Sequence, residues 1–251
     1  MTRDELIKHY YELLDISSFD DISLNGLQIS MSDKEIRKVA FAVDASMDSI
    51  AIAADEKADL LFVHHGLFWG APIAISGMHY HRVKKALESD MGLFACHIPL
   101  DAHPIYGNNA QMALRLGMTS YDPFGTFKGR YVGFKGKLPF PMTVAEISRI
   151  LDFDEEHGLR TICFGKDMVE TVGIISGGAS GDVRDAIDEN LDCFVTGEVE
   201  HSHFHLVKEN NMNMIAGGHY RSEVFGVKAV MRYTEKELGI ESFFIDAETG
   251  L

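Results

Sequence analysis

Leu60-Leu61-Phe62-Val63-His64-His65-Gly66 is an unbroken apolar run that stops at two histidines. A strand buried on both faces of an α/β sheet reads this way. Ligands in such folds gather beyond the carboxyl ends of the strands. Working outward, Lys38 to Val43 gives another strand and Ser46 to Lys57 an alanine- and isoleucine-rich helix, so residues 38–63 predict a β-α-β unit with a right-handed crossover. Before it, Thr2 and Glu5 form a capping box for a helix carrying Leu6, Ile7, Tyr10, Leu13 and Leu14, followed by a loop from Ser17 to Gln28. After it come a helix from His79 to Ser89, a strand at Leu93 to Cys96 and a helix from Asn109 to Leu116 ended by Gly117.

Thr119 to Pro141 holds three of the six prolines and four glycines, which reads as a boundary followed by a strand at Tyr131 to Leu138. A second capping box, Thr143 to Glu146, opens the next helix. Strands at 161–164, 171–176, 193–196 and 212–216 then alternate with helices at 182–189 and 201–209. A longer helix from Arg221 to Glu237 precedes a last strand at 242–246. The alternation makes the class α/β.

His64 and His65 are neutral imidazoles of the kind that bind borderline divalent metals. Their side chains diverge along the backbone, so two ions side by side suit them better than one. Two other segments can complete such a site. Leu93 to Cys96 ends in Asp101 flanked by His97 and His103; Gly217-Gly218 precede His219 and Glu223, four residues apart and on one face if a helix starts at the glycines. Because these ligands lie in the first half and near the end, residues 128–215 read as a second α/β domain inserted into a metal-binding domain made of 1–127 and 216–251.

Composition sets bounds. The chain has 251 residues, 46% hydrophobic and 24% charged, an ordinary globular balance. A formal charge of −15 disfavours nucleic acid or an anionic membrane as partner, although bound metals can reverse the local field for a small phosphorylated ligand. Cys96, Cys163 and Cys193 are odd in number, lack a CxxC spacing and sit in apolar strand-like segments, which predicts buried thiols in a reducing compartment. The N-terminal residues lack the apolar core of a signal peptide and no apolar window approaches 18 residues, so the expected location is the cytoplasm.

Asn25-Gly26-Leu27-Gln28, His64-His65-Gly66-Leu67-Phe68, His97-Ile98-Pro99-Leu100-Asp101-Ala102-His103, Gly107-Asn108-Asn109-Ala110, Thr196-Gly197-Glu198 and Gly218-His219-x-x-x-Glu223 together resemble the Nif-three-like family, whose bacterial members are GTP cyclohydrolase I type 2 homologues. The resemblance runs over essentially the whole chain. It implies two α/β/α domains with mixed sheets, a dinuclear metal centre and a ring-shaped homohexamer. It also implies that His64, Asp101 and Glu223 hold one ion and His65, His219 and Glu223 the other. The chain departs from the family at Arg221 and Ser222, where alanine and threonine are common.

The implied reaction is metal-assisted hydrolytic opening of the guanine imidazole ring of GTP with loss of formate. Two divalent ions, zinc, iron, manganese, cobalt or nickel, are the expected cofactors. His97 and His103 are the candidate acid/base residues. His97 and Asp44 are equally candidates for holding a ligand in place. The same pair of ions suits a phosphoesterase, and a non-catalytic metal-binding scaffold or metallochaperone is the third reading. Gly177 to Gly181 reads as a simple βα turn or a phosphate cradle. His201, His203 and His205 form an H-x-H-x-H run, and Trp69 stacks on a base or simply packs.

Overall fold

A computed structural model describes residues 1–251. The chain divides into two compact units, Met1–Leu100 with Val227–Ala247 and Asp101–Gly226 with Glu248–Leu251. Each is an α/β unit built on one mixed sheet.

The first unit begins with α1 (Arg3–Leu13), whose predicted capping box forms: Glu5 N–H donates to Thr2 Oγ1 and Thr2 N–H to Glu5 Oε2. There follow β1 (Gly26–Ile29), β2 (Lys38–Asp44), α2 (Met47–Asp55), β3 (Leu60–His65), α3 (Gly77–Glu88) and β4 (Gly92–Ala95). The strands β2, β3 and β4 are parallel, and β1 closes the sheet antiparallel to β4. Side chains alternate across the sheet. Phe41, Phe62 and Phe94 face Tyr10 of α1, with ring centroids 5.3–5.5 Å apart. Ala42, Leu61, Val63 and Ala95 pack with Ile50 and Ala53 of α2 and Ala86 of α3. Leu60 to Val63 are wholly buried, as an apolar run between two helical layers requires.

α4 (Ile98–Ala102) contains the division at Leu100/Asp101. The second unit then runs α5 (Asn108–Arg115), β5 (Asp122–Phe127), β6 (Arg130–Met142), α6 (Val144–Ile150), β7 (Arg160–Cys163), β8 (Val169–Ile174), α7 (Val183–Asp188), β9 (Cys193–Thr196), α8 (Phe204–Glu209) and β10 (Asn213–Ala216). Its sheet order is β5-β6-β8-β9-β10-β7, with β8, β9 and β10 parallel and antiparallel strands at both edges. Met112 of α5 and its C-cap Leu116, with Ile147 of α6 and its C-cap Leu151, cover one face. α9 (His219–Leu238) contains the second division at Gly226/Val227, and β11 (Glu241–Phe244) returns to pair with β2 in the first sheet.

Three details depart from the sequence reading. The boundary expected at 127/128 falls in the turn of the β5–β6 hairpin, whose strands pair through Phe127 and Arg130. The predicted loop 17–28 contains most of β1, a short strand with mixed burial. Cys163 is exposed rather than buried, because β7 is an edge strand with only Ile162 turned inward.

Candidate functional site

In the first unit the histidines lie where β3 ends. Parallel pairing sets Asp44 of β2 opposite His65, and His65 Nδ1 donates to Asp44 Oδ1 at 2.8 Å. His64 is completely buried, and its Nδ1 donates to the Cys96 carbonyl at the end of β4 (2.8 Å). His97, one residue on, donates from Nδ1 to the Asp21 carboxylate (3.0 Å). A donor at Nδ1 puts the imidazole lone pair on Nε2, so all three rings have the tautomer of an Nε2 metal ligand. Ligand atoms of His64, His65 and His97 lie within 4.8 Å of one another. Asp21 is held well below the usual carboxylate range: burial opposes this, and hydrogen bonds and charge from His97, with further bonds from Asn25 and Ser23, outweigh it.

In the second unit α9 starts at His219, directly after Gly217-Gly218. This first turn puts His219 Nε2 3.3 Å from Glu223 Oε1, as the i, i+4 spacing predicts. His219 Nδ1 donates to Glu198 Oε1 at 2.6 Å, the same arrangement as in the other three rings. Burial works against charge on His219, but hydrogen bonds and charge from Glu223 and Glu198 prevail and raise its pKa to about 9. Glu223 is 2% exposed. Gly177 makes room for it: a Cβ there would sit 2.3 Å from Glu223 Oε1. Asp101 is also buried, and its Oδ1 accepts from Asn108 Nδ2 and Ser176 Oγ, both at 2.8 Å.

The chain matches the family model Duf34/NIF3 (NGG1p interacting factor 3) over residues 1–250. The GTP cyclohydrolase 1 type 2 homolog of Deinococcus radiodurans is 44% identical, covering 99% of this chain and 94% of its own. This chain belongs to the Duf34/NIF3 family. The namesake from Archaeoglobus fulgidus is 41% identical over the full length of both chains. TTHA1606 from Thermus thermophilus, a solved structure, superposes with a TM-score of 0.90 at 37% identity, again over the whole of both chains.

The Duf34/NIF3 markers in the sequence have local physical reasons. Asn25 Oδ1 accepts from His97 N–H and its Nδ2 donates to Asp21, so the Asn25–Gln28 segment fixes His97 and its carboxylate together. Gln28 Oε1 accepts from Leu67 N–H behind the histidine pair. Gly26 has φ +103°, and a Cβ there would overlap Tyr11. Asp44 has the supporting position expected for it. Trp69 packs edge-on against His97 at 5.0 Å and donates from Nε1 to the Gly66 carbonyl.

His103 is turned into its own loop, where Nδ1 accepts from the amides of Ile105 and Tyr106. His203 of the H-x-H-x-H run is buried against Ser180. Sequence reasoning misses Asp21, Asn108 and Ser176 as partners of His97 and Asp101. The spacing of the Asn25 and Asn108 motifs is the only signal for them.

These donor sets fit divalent metal. Imidazole Nε2 atoms and buried carboxylates, with no thiolate among them, suit borderline ions and leave coordination positions for water. The structure therefore has His, Asp and Glu clusters able to bind a metal. No helix is long and apolar enough to cross a membrane.

Proposed function

We propose that this protein is a dinuclear-metal-dependent hydrolase acting on the guanine imidazole ring of GTP, with His64, Asp101 and Glu223 holding one divalent ion and His65, His219 and Glu223 the other. The observation that carries the reading is the shared tautomer: His64, His65 and His219 each have Nδ1 tied to an oxygen acceptor, so that Nε2 is the ligand atom. The GTP substrate rests on the names of the relatives.

Paired divalent ions supply Lewis acidity and make water acidic enough to attack at neutral pH. The protein's own residues do the rest. Asp44 and Glu198 fix the rings of His65 and His219 through Nδ1. Asn108 and Ser176 fix the Asp101 carboxylate. His97, oriented by Asp21, stands beside His64 and His65 with its Nε2 in the acid/base role, and Trp69 shields it from bulk water. His103 has its Nδ1 engaged in its loop and is the weaker candidate. A homohexameric ring is the assembly we propose, on the resemblance to the family alone.

The test is metal analysis of the purified protein followed by incubation of the metal-loaded form with GTP. Formate and a fluorescent pterin are expected. Release of inorganic phosphate instead would favour the phosphoesterase, and two bound ions without turnover of any nucleotide would favour a metal-binding scaffold.

A further inference from the structure

Arg221 has no part in the mechanism above. It stands in the first turn of α9, two residues after His219 and two before Glu223. At about 100° per residue it projects from the side of the helix opposite to both. There its Nε lies 2.7 Å from Glu248 Oε1 and its Nη1 3.6 Å from Asp152 Oδ2. The other oxygen of Glu248 lies 2.9 Å from His157 Nε2, and His157 Nδ1 lies 2.6 Å from Asp154 Oδ1. The side chains of Arg221, His157 and Glu248 are 20%, 24% and 28% exposed, so solvent screens this group only in part. The guanidinium is thus engaged away from the face that carries His219 and Glu223.

Backbone meets backbone at the same place. A Cβ on Gly218 would sit 2.6 Å from His157 O and 3.2 Å from Leu251 O, and one on Gly158 would sit 3.2 Å from Gly250 O. Both glycines have left-handed φ, +94° and +97°. No side chain fits at this crossing, so residues 157–158, 218 and 250–251 touch directly. A helix start leaves its first amides without partners inside the helix. One of them, Tyr220 N–H, donates to Leu251 O at 3.3 Å. An acidic side chain and a carbonyl oxygen beside the first turn of a 20-residue helix both complement its dipole. A ligand site has no support here, because the charged groups already meet one another.

We propose that Glu248, acting through Arg221 and His157, is a positioning residue. It straps residues 248–251 over the start of α9 and holds the turn that carries His219 and Glu223. That the held residues are metal ligands rests on the reading above; the strap itself does not. The experiment is amide hydrogen exchange of the metal-free full chain, read on peptides covering 217–224 and the later part of α9. Wild type is compared with Glu248→Ala, Arg221→Ala, Arg221→Lys and the double alanine variant. Exchange of a turn rises in proportion to its opening equilibrium. Each single alanine variant should exchange about 5-fold faster over 217–224, the usual effect of losing a helix-end cap, with the later part of α9 unchanged. The double variant should be no faster than Glu248→Ala, because the two changes remove one shared interaction. Arg221→Lys should keep part of the protection. Wild-type rates in Glu248→Ala overturn the strap. So do equal acceleration along the whole chain, effects that multiply in the double variant, or a lysine variant as labile as Arg221→Ala. If Arg221→Ala fails to fold, Glu248→Ala decides alone. Adding Zn²⁺ to wild type should slow exchange over 217–224 further. Zn²⁺ without effect there overturns the metal reading of His219 and Glu223 and leaves the strap standing.

Discussion

His219, as a proposed metal ligand, would couple protons, metal and stability in a single residue. In the metal-free chain its pKa is raised to about 9, against an ordinary value of 6.5: burial opposes the charge, and Glu223 and Glu198 more than offset it. A folded-state pKa above the unfolded one stabilises the folded chain fully below pH 6.5, and the contribution is lost as pH rises through about 9. Thermal melts of the metal-free protein and His219→Gln should therefore differ most below pH 6.5 and converge above pH 9. Metal must displace that proton, so binding at pH 7 should release about one proton, seen as a dependence of the calorimetric heat on buffer ionisation enthalpy. Asp44 makes the complementary test. Removing the carboxylate that accepts from His65 Nδ1 by Asp44→Ala should weaken metal binding by about 10–100-fold in a metal titration while leaving the sheet intact, because Asp44 is only partly buried.

At the scale of elements, sequence legibility followed burial on both faces. β3 was readable because Leu60 to Val63 are continuously apolar, and α1 and α6 because both open on capping boxes that form as written. β1 was not, since its middle residues are half-exposed and its glycine is used for the approach of Tyr11. β5 was not, since Pro123 lacks an amide donor and Gly125 has φ +58°, features that suit only an edge strand. The proposed ligands are legible because metal chemistry demands particular side chains at strand ends. Their supports, Asp21 and Ser176, lie 76 and 75 residues from His97 and Asp101, and no local pattern records that pairing. The turn after β8 gives an element-level prediction. Gly177→Ala combines left-handed backbone with a Cβ 2.3 Å from Glu223 Oε1 and should cost about 1–3 kcal/mol. Metal content should fall with it. Gly178→Ala, whose nearest neighbours are at 3.8 Å, should melt and load metal as wild type does.

For the whole molecule, the proposed ligand sets join residues far apart in the chain: Asp101 lies on α4, and His219 with Glu223 on α9. Metal bound by such residues in the folded chain is absent from the unfolded one, so it stabilises by mass action: about 4 kcal/mol per site at a thousandfold excess over Kd. For a chain of about 250 residues each kcal/mol moves the midpoint by roughly 2–4 °C, which predicts a rise on the order of 10 °C per site on loading and its reversal by a chelator. The assembly itself provides the control. Light scattering after gel filtration should give about six times 27.9 kDa if the ring forms. The melt should then be repeated at several protein concentrations, because subunit association also stabilises by mass action. A metal-dependent shift that persists at every concentration belongs to the ligand sets. One that disappears on dilution, together with the hexamer mass, would place the metal's contribution in assembly and count against the proposed ligands.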